Sequence, residues 1–113
     1  MHELSFAQSI IEIAGETAAD HGMSHITAVE LEIGSISGIE IDALEFGWEI
    51  VTKNTIAEGS RLQITSVRAI GKCNQCGKEF EITGYLSDCP ECNSIWYDIL
   101  QGKEMKLVAI VAE

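Results

Sequence analysis

The chain has four cysteines, and all of them fall in two Cys-x-x-Cys pairs, Cys73-Asn74-Gln75-Cys76 and Cys89-Pro90-Glu91-Cys92, with twelve residues between the pairs. Two thiolates three positions apart reach one ion from a tight turn. Two such turns brought face to face complete the four-sulfur tetrahedral shell that Zn²⁺ accepts. The expected zinc ligands are Cys73, Cys76, Cys89 and Cys92. Four protein ligands leave no position for water or substrate, so the expected role of the zinc is structural. The competing uses of these cysteines are disulfides and a dithiol redox centre. The opening residues Met1-His2-Glu3-Leu4-Ser5 show neither a basic leader nor an apolar core ahead of a cleavage site, which argues against export and disulfides. A thioredoxin-like centre places a single motif at the start of a helix, whereas both pairs here lie in turn-like sequence with glycine or proline.

Length and charge narrow the field. A chain of 113 residues with 46% apolar composition can bury one modest core beside a metal-stapled appendage. No uncharged apolar run approaches the roughly 18–20 residues of a membrane-spanning helix, so the expectation is a soluble, cytoplasmic protein with no membrane partner. Seven basic against eighteen acidic residues give a net charge of −11, the wrong sign for phosphate. The cysteine region 71–102 shares that bias, with Lys72 and Lys78 against Glu79, Glu81, Asp88, Glu91 and Asp98. No nucleic-acid partner is expected. No Ser-His-Asp set, phosphate loop or carboxylate pair of defined spacing is present, so nothing in the chain argues for an enzyme.

Hydrophobic periodicity predicts the elements. Leu4, Ala7, Ile11, Ala14 and Ala18 recur at helical spacing to about Asp20, and His21-Gly22 supplies a glycine cap. Residues 26–34 alternate as a strand. Asp42 with Glu45 three residues on has the form of a capping box for a second helix over 43–55, on which Phe46 and Trp48 read as core. Residues 62 to about 70 read as a second strand. The final segment, with Met105, Leu107, Ala109 and Val111 on one face and Lys106, Val108 and Ile110 on the other, carries apolar residues on both faces. That pattern predicts a strand with a neighbour on each side, returning to the first domain. The fold class is α+β, a small mixed sheet with two helices carrying an inserted four-cysteine zinc ribbon. The domains are residues 1–70 plus 103–113, and 71–102. Ile95, Trp96 and Tyr97 are the residues expected to cover the metal core.

The start Met1-His2-Glu3-Leu4-Ser5, Glu32-Ile33-Gly34 with Ser37-Gly38-Ile39, Ala43-Leu44-Glu45-Phe46, Ala57-Glu58-Gly59 and the two cysteine pairs together resemble the HypA/HybF family of hydrogenase nickel-incorporation proteins. The resemblance covers nearly the whole chain. Asn93 stands where that family usually has glycine, and Ile41 where it often has proline. The resemblance implies a nickel metallochaperone. Its first domain would take Ni²⁺ at the terminus, and it would pass the ion to the large subunit of NiFe-hydrogenase together with a HypB-like maturation GTPase. It leaves room for a homodimer. Read from chemistry alone, a deprotonated α-amine with pKa near ~7.7–8.0, a histidine one residue away and the amides between them form an all-nitrogen set suited to square-planar Ni²⁺. The nickel ligands expected from the resemblance are Met1 through its amine, His2 through imidazole and amide, and Glu3 through amide or carboxylate. The rivals are a zinc-ribbon protein-protein adaptor without a second metal, and a thiol-disulfide enzyme. His21 and His25 read as structural or surface residues.

Overall fold

The computed structural model describes residues 2–84 and 87–113, with His2 described through its backbone alone. The elements run α1 (His2–Asp20), β1 (Ile26–Gly34), α2 (Ile41–Thr52), β2 (Arg61–Val67), β3 (Ile70–Cys73), β4 (Glu79–Glu81), β5 (Tyr97–Gln101) and β6 (Met105–Ala112). They form two three-stranded sheets, ordered β2-β1-β6 and β4-β3-β5. The radius of gyration is 17.4 Å, against about 13 Å for a globule of this length, and the extents are 54 × 26 × 16 Å. The two sheets therefore lie end to end rather than packed on one another.

The first sheet is mixed: β1 pairs parallel with β2 and antiparallel with β6. Val29, Leu31 and Ile33 of β1 point to one face and join Ala7, Ile10, Ala14 and Ala18 of α1 with Leu44 and Trp48 of α2 in one core. The α1 stripe is mostly alanine because the helix lies close to its neighbours. Likewise a Cβ at Gly47 of α2 would meet Leu4 Cδ2 at 2.7 Å. α1 ends in a Schellman cap, with Gly22 at φ 70° and the Met23 amide donating to the Ala18 carbonyl at 2.8 Å.

Several elements differ from the sequence reading. α2 starts at Ile41 with Glu40 as its N-cap, so Asp42 lies inside the first turn and no side chain of α2 caps it. The helix stops at Thr52 rather than 55, because Asn54 is left-handed at φ 64° and the Thr55 hydroxyl turns back to the Thr52 carbonyl. Of the two aromatics read as core, only Trp48 is buried, its indole donating to Ser60 Oγ at 3.0 Å, while Phe46 is 78% exposed. The strand predicted over 62–70 is two strands: β2 ends at Val67, Ala69 is fully buried at the joint, and β3 begins the second sheet. β6 returns to the first sheet as expected but lies at its edge; β1 is the strand with two neighbours.

The joint between the sheets is a close backbone stack. The Ile36 amide donates to the Gly102 carbonyl at 3.0 Å, and the Gly34 amide to the Glu104 carbonyl at 2.8 Å. A side chain at Gly34 would overlap the Gly102 carbonyl, and one at Gly102, which sits at φ 117°, would overlap the Ala69 backbone. Ser35 Oγ accepts the Ala69 amide at 3.1 Å, and the Gln101 side chain donates to the Arg68 carbonyl at 2.8 Å. Three chain crossings are thus tied together where one sheet hands over to the other.

Candidate metal centres

The second sheet carries the cysteines on two loops of the same construction. In the first, the Cys73 amide donates to the Lys78 carbonyl at 2.8 Å and the Gly77 amide to the Cys73 carbonyl at 3.0 Å. In the second, Cys89 and Ser94 pair at 2.9 Å, and Asn93 and Cys89 at 2.8 Å. Each loop needs a left-handed residue after its second cysteine, and Gly77 (φ 77°) and Asn93 (φ 62°) supply it. Asparagine in place of the usual glycine therefore keeps the turn.

The loops bring all four Sγ atoms within 4.8 Å of one another. Cys73 and Cys92 lie 3.6 Å apart, and Cys76 and Cys89 3.5 Å. A zinc-sulfur tetrahedron with bonds of about 2.3 Å has sulfur-sulfur edges of about 3.8 Å, so the donor set fits the ion that the sequence reading assigns to it. All four cysteines are free thiols. Amide donors of the first loop, led by Cys76 with Gln75 behind it, lower the Cys73 thiol to about 6. Cys92 receives help from the Ser94 amide, but the neighbouring Cys73 thiol and burial outweigh it and push Cys92 up to about 12. Cys76 is also raised, the Lys78 amide being outweighed by the Cys89 sulfur and burial. Cys73 thus favours its thiolate while Cys76 and Cys92 keep their protons. Such a cluster asks for a cation.

Little else holds this end of the molecule. Among the described residues its buried hydrophobic side chains are Ala69, Cys73, Phe80, Ile82 and Cys89, with Tyr97 set edge-on to Phe80 at a ring separation of 5.1 Å. Tyr97 covers the core as expected, but Ile95 and Trp96 do not, being 67% and 66% exposed. A core of this size does not fold unaided, and a bound metal would complete it.

Of the residues expected to hold nickel, Met1 and the His2 side chain lie outside the described residues, and His2 is the first residue of α1. Glu3 Oε2 accepts the backbone N–H of Glu40 at 3.1 Å. Glu40 in turn lines a cleft of about 490 Å³ whose far wall is Ile82, Thr83, Tyr97 and Ile99 of the cysteine end. The start of α1 is thereby fixed beside the joint, near the cysteine sheet. Sequence reading missed Glu40, since its contribution is a backbone N–H, which no side-chain pattern reports. His21 donates through Nδ1 to the Thr17 carbonyl at 2.9 Å, and His25 pairs through its backbone with Glu113, so both act structurally. Among the described residues the four cysteines are the one group of three or more metal-type ligands, and no helix is long and apolar enough to cross a membrane.

Comparison with known proteins agrees with this architecture. Residues 1–112 match the family model described as HypA, hydrogenase/urease nickel incorporation, metallochaperone. Hydrogenase maturation factor HypA of Geotalea uraniireducens is 41% identical over 113 residues, covering 100% of both chains, and that of Chlorobium phaeobacteroides is 37% identical over 114 residues, again with 100% of both covered. The fold is similar to the solution structure of the Ni metallochaperone HypA from Helicobacter pylori, with a TM-score of 0.67, 23% identity, and 97% and 96% of the two chains covered. A second solution structure of a HypA protein gives a TM-score of 0.72 at 24% identity, covering 100% of this chain and 97% of that one. With a four-thiol cluster at one end, an α+β sheet at the other and a match along its whole length, the chain belongs to the HypA family of nickel-incorporation metallochaperones, which are not enzymes.

Proposed function

We infer that this protein takes Ni²⁺ at its N-terminus and delivers it to the large subunit of NiFe-hydrogenase in the cytoplasm, in concert with a HypB-like GTPase. The four cysteines hold a structural zinc. Residues 1–70 with 103–113 form the nickel domain, and 71–102 the zinc ribbon. The observation that carries this reading is the position of His2 at the head of α1, with the adjoining Glu3 carboxylate held by the Glu40 amide.

Each donor has a reason in that geometry. The Met1 amine, the His2 imidazole and the amides of His2 and Glu3 supply nitrogen to a square-planar ion. Amides in the first turn of a helix have no carbonyl within that helix to satisfy, so yielding a proton to the metal breaks no helical bond. A cation at that end also works against the helix macrodipole, which keeps the site weaker than the same donors on a coil. Cargo that must be surrendered needs such a site. The Glu3 carboxylate serves as an anchor, and its amide serves as the ligand.

The test is calorimetric titration of Ni²⁺ into the zinc-loaded protein with a free terminus, beside His2→Ala and a form carrying one extra residue ahead of Met1. Loss of one stoichiometric site in both variants, with zinc content and circular dichroism unchanged, supports the reading. Equal binding in all three removes the terminal site and favours the zinc-ribbon adaptor.

A further inference from the structure

Trp96 takes no part in covering the metal core, yet its backbone is held firmly beside it. Its carbonyl accepts the Asn74 amide of the first cysteine loop at 3.0 Å, and its own amide donates to Ser94 Oγ at 3.1 Å. The indole so supported is 66% exposed. An aromatic fixed in place and left in water loses little entropy on meeting a partner, and tryptophan is among the residue types that most often anchor protein contacts. The strand that follows it is open. β5 has a hydrogen-bonded neighbour, β3, on one side only. Tyr97 and Ile99 wall the cleft of about 490 Å³, and Asp98 between them points to the other face. The edge is blunted only by Asp98 and by one slip in register near the joint, between Ile70 and Gly71.

We propose that the open edge of β5 takes an extended, cationic segment of another protein, which adds as a further strand to the β4-β3-β5 sheet. Its side chains divide between the two faces. An arginine or lysine opposes Asp98 within reach of the Trp96 indole, and the aliphatic residues before and after it enter the cleft against Tyr97 and Ile99. Charge selects this occupant. Residues 71–102 hold five acids against two bases, and Lys78 is already paired with Glu91 at 4.0 Å. Lys72 lies across from Asp98 in register but has Glu79 on its other side, so one cation there faces two anions. A zinc ion held by four thiolates carries a net negative charge of its own. Glu40, on the opposite wall of the cleft, extends the negative field. Two edges this acidic, on chains of net charge −11, repel each other, so the strand that fits comes from a different protein. β4, the other open edge of this sheet, offers no such anchor: Phe80 is buried, and Glu79 and Glu81 flank it. This inference is independent of the nickel reading.

Fluorescence anisotropy of the labelled, end-blocked peptide Lys-Leu-Val-Arg-Val-Leu-Lys, titrated with the zinc-loaded full chain, tests it. The same peptide with both valines replaced by proline keeps its charge and loses the amides that pair along a strand, and one with glutamate for arginine reverses the central charge. The expected result is saturable binding of the first peptide and binding at least about tenfold weaker for either control. Trp96→Ala, which leaves both backbone hydrogen bonds in place, should weaken it about tenfold, and Asp98→Asn about threefold. Should Trp96→Ala lose zinc or fold, the isosteric Asp98→Asn carries the test. Phe46→Ala removes an exposed aromatic from α2 and should leave the affinity unchanged. Hydrogen exchange of amides 97–101 is expected to slow when the peptide is added. Absence of saturable binding overturns the proposal. So does equal binding of the proline peptide, indifference to both β5-edge substitutions, or no added protection at 97–101. Protection there that rises with protein concentration alone assigns the edge to a second copy and overturns it too.

Discussion

The Glu3 carboxylate stands where the capping residue of a different helix belongs: Oε2 accepts the N–H of Glu40, the N-cap of α2, at 3.1 Å. In a capping box this bond comes from within the helix, three residues on. Here it comes from α1, so one bond fixes the beginning of both helices. Removing it by Glu3→Ala should cost about 0.5–1 kcal/mol in urea unfolding, and Glu3→Gln, whose amide oxygen can still accept, should cost less than that. Nickel affinity should be nearly unchanged in Glu3→Gln, since the proposed ligand at this residue is the amide. A loss of tenfold or more on that substitution would assign the carboxylate to the metal instead.

That bond also explains what the sequence hides. Period alone places α1, β1 and both cysteine loops, because each is decided by residues near in sequence. Asp42 and Glu45 fit a capping box, but the helix starts earlier, with Glu40 as N-cap and its N–H accepted by Glu3, 37 positions away. Phe46 and Trp48 are alike in type, and their burial is decided by which face of α2 meets the core it shares with α1 and β1. β6 is readable as a strand from its residues. Its place at the edge follows from β2 pairing parallel with β1, which leaves β1 the middle position. The proposed nickel ligands rest on family resemblance, since an amine and one histidine form no distinctive spacing.

The two aromatics of α2 give a direct check on that face assignment. Trp48→Ala removes a side chain that is 4% exposed and orphans Ser60 Oγ, and is expected to cost about 3–5 kcal/mol. Phe46→Ala, at 78% exposure, should change stability by less than about 0.5 kcal/mol. Urea denaturation of the two variants measures both; comparable losses would mean that Phe46 is covered in solution.

The joint between the sheets should tolerate no side chain. Gly102→Ala combines a left-handed φ of 117° with overlap on Ala69, and Gly34→Ala meets the Gly102 carbonyl. Each is expected to cost about 2–3 kcal/mol or more, with residues 34–36, 67–69 and 101–104 losing hydrogen-exchange protection first. A variant as stable as wild type would show that the stack can open without penalty.

Asn93 offers the reverse experiment, an improvement. Held at φ 62°, it bears a strain that glycine escapes, so Asn93→Gly should tighten zinc binding slightly while Asn93→Val weakens it by about 1–2 kcal/mol, or roughly tenfold. Competition against a chromophoric chelator reads both changes. If valine matches asparagine, the second loop does not require the left-handed turn to hold the metal.

Zinc binding should depend steeply on pH, and the thiols set its sign. Cys76 and Cys92 are raised above their usual 9.0, so both are protonated at neutral pH and must each release a proton to the solvent when the ion binds. Each released proton makes affinity rise tenfold per pH unit, so between pH 7 and 8 the apparent zinc affinity should rise at least about 100-fold. Cys73, lowered to about 6, is already a thiolate there and adds nothing to that slope. Below its folded value it takes up a proton as well. The slope steepens, and whatever stability its thiolate lends the metal-free loop, present above the unfolded value near 9.0, is lost as pH falls through about 6. Chelator competition across pH 5–8, with proton release counted in buffers of different ionisation enthalpy, measures both quantities. Removing zinc at pH 7 should then melt residues 71–102 while the core of Val29, Leu31, Ile33, Leu44 and Trp48 stays protected, since that core borrows nothing from the cysteines.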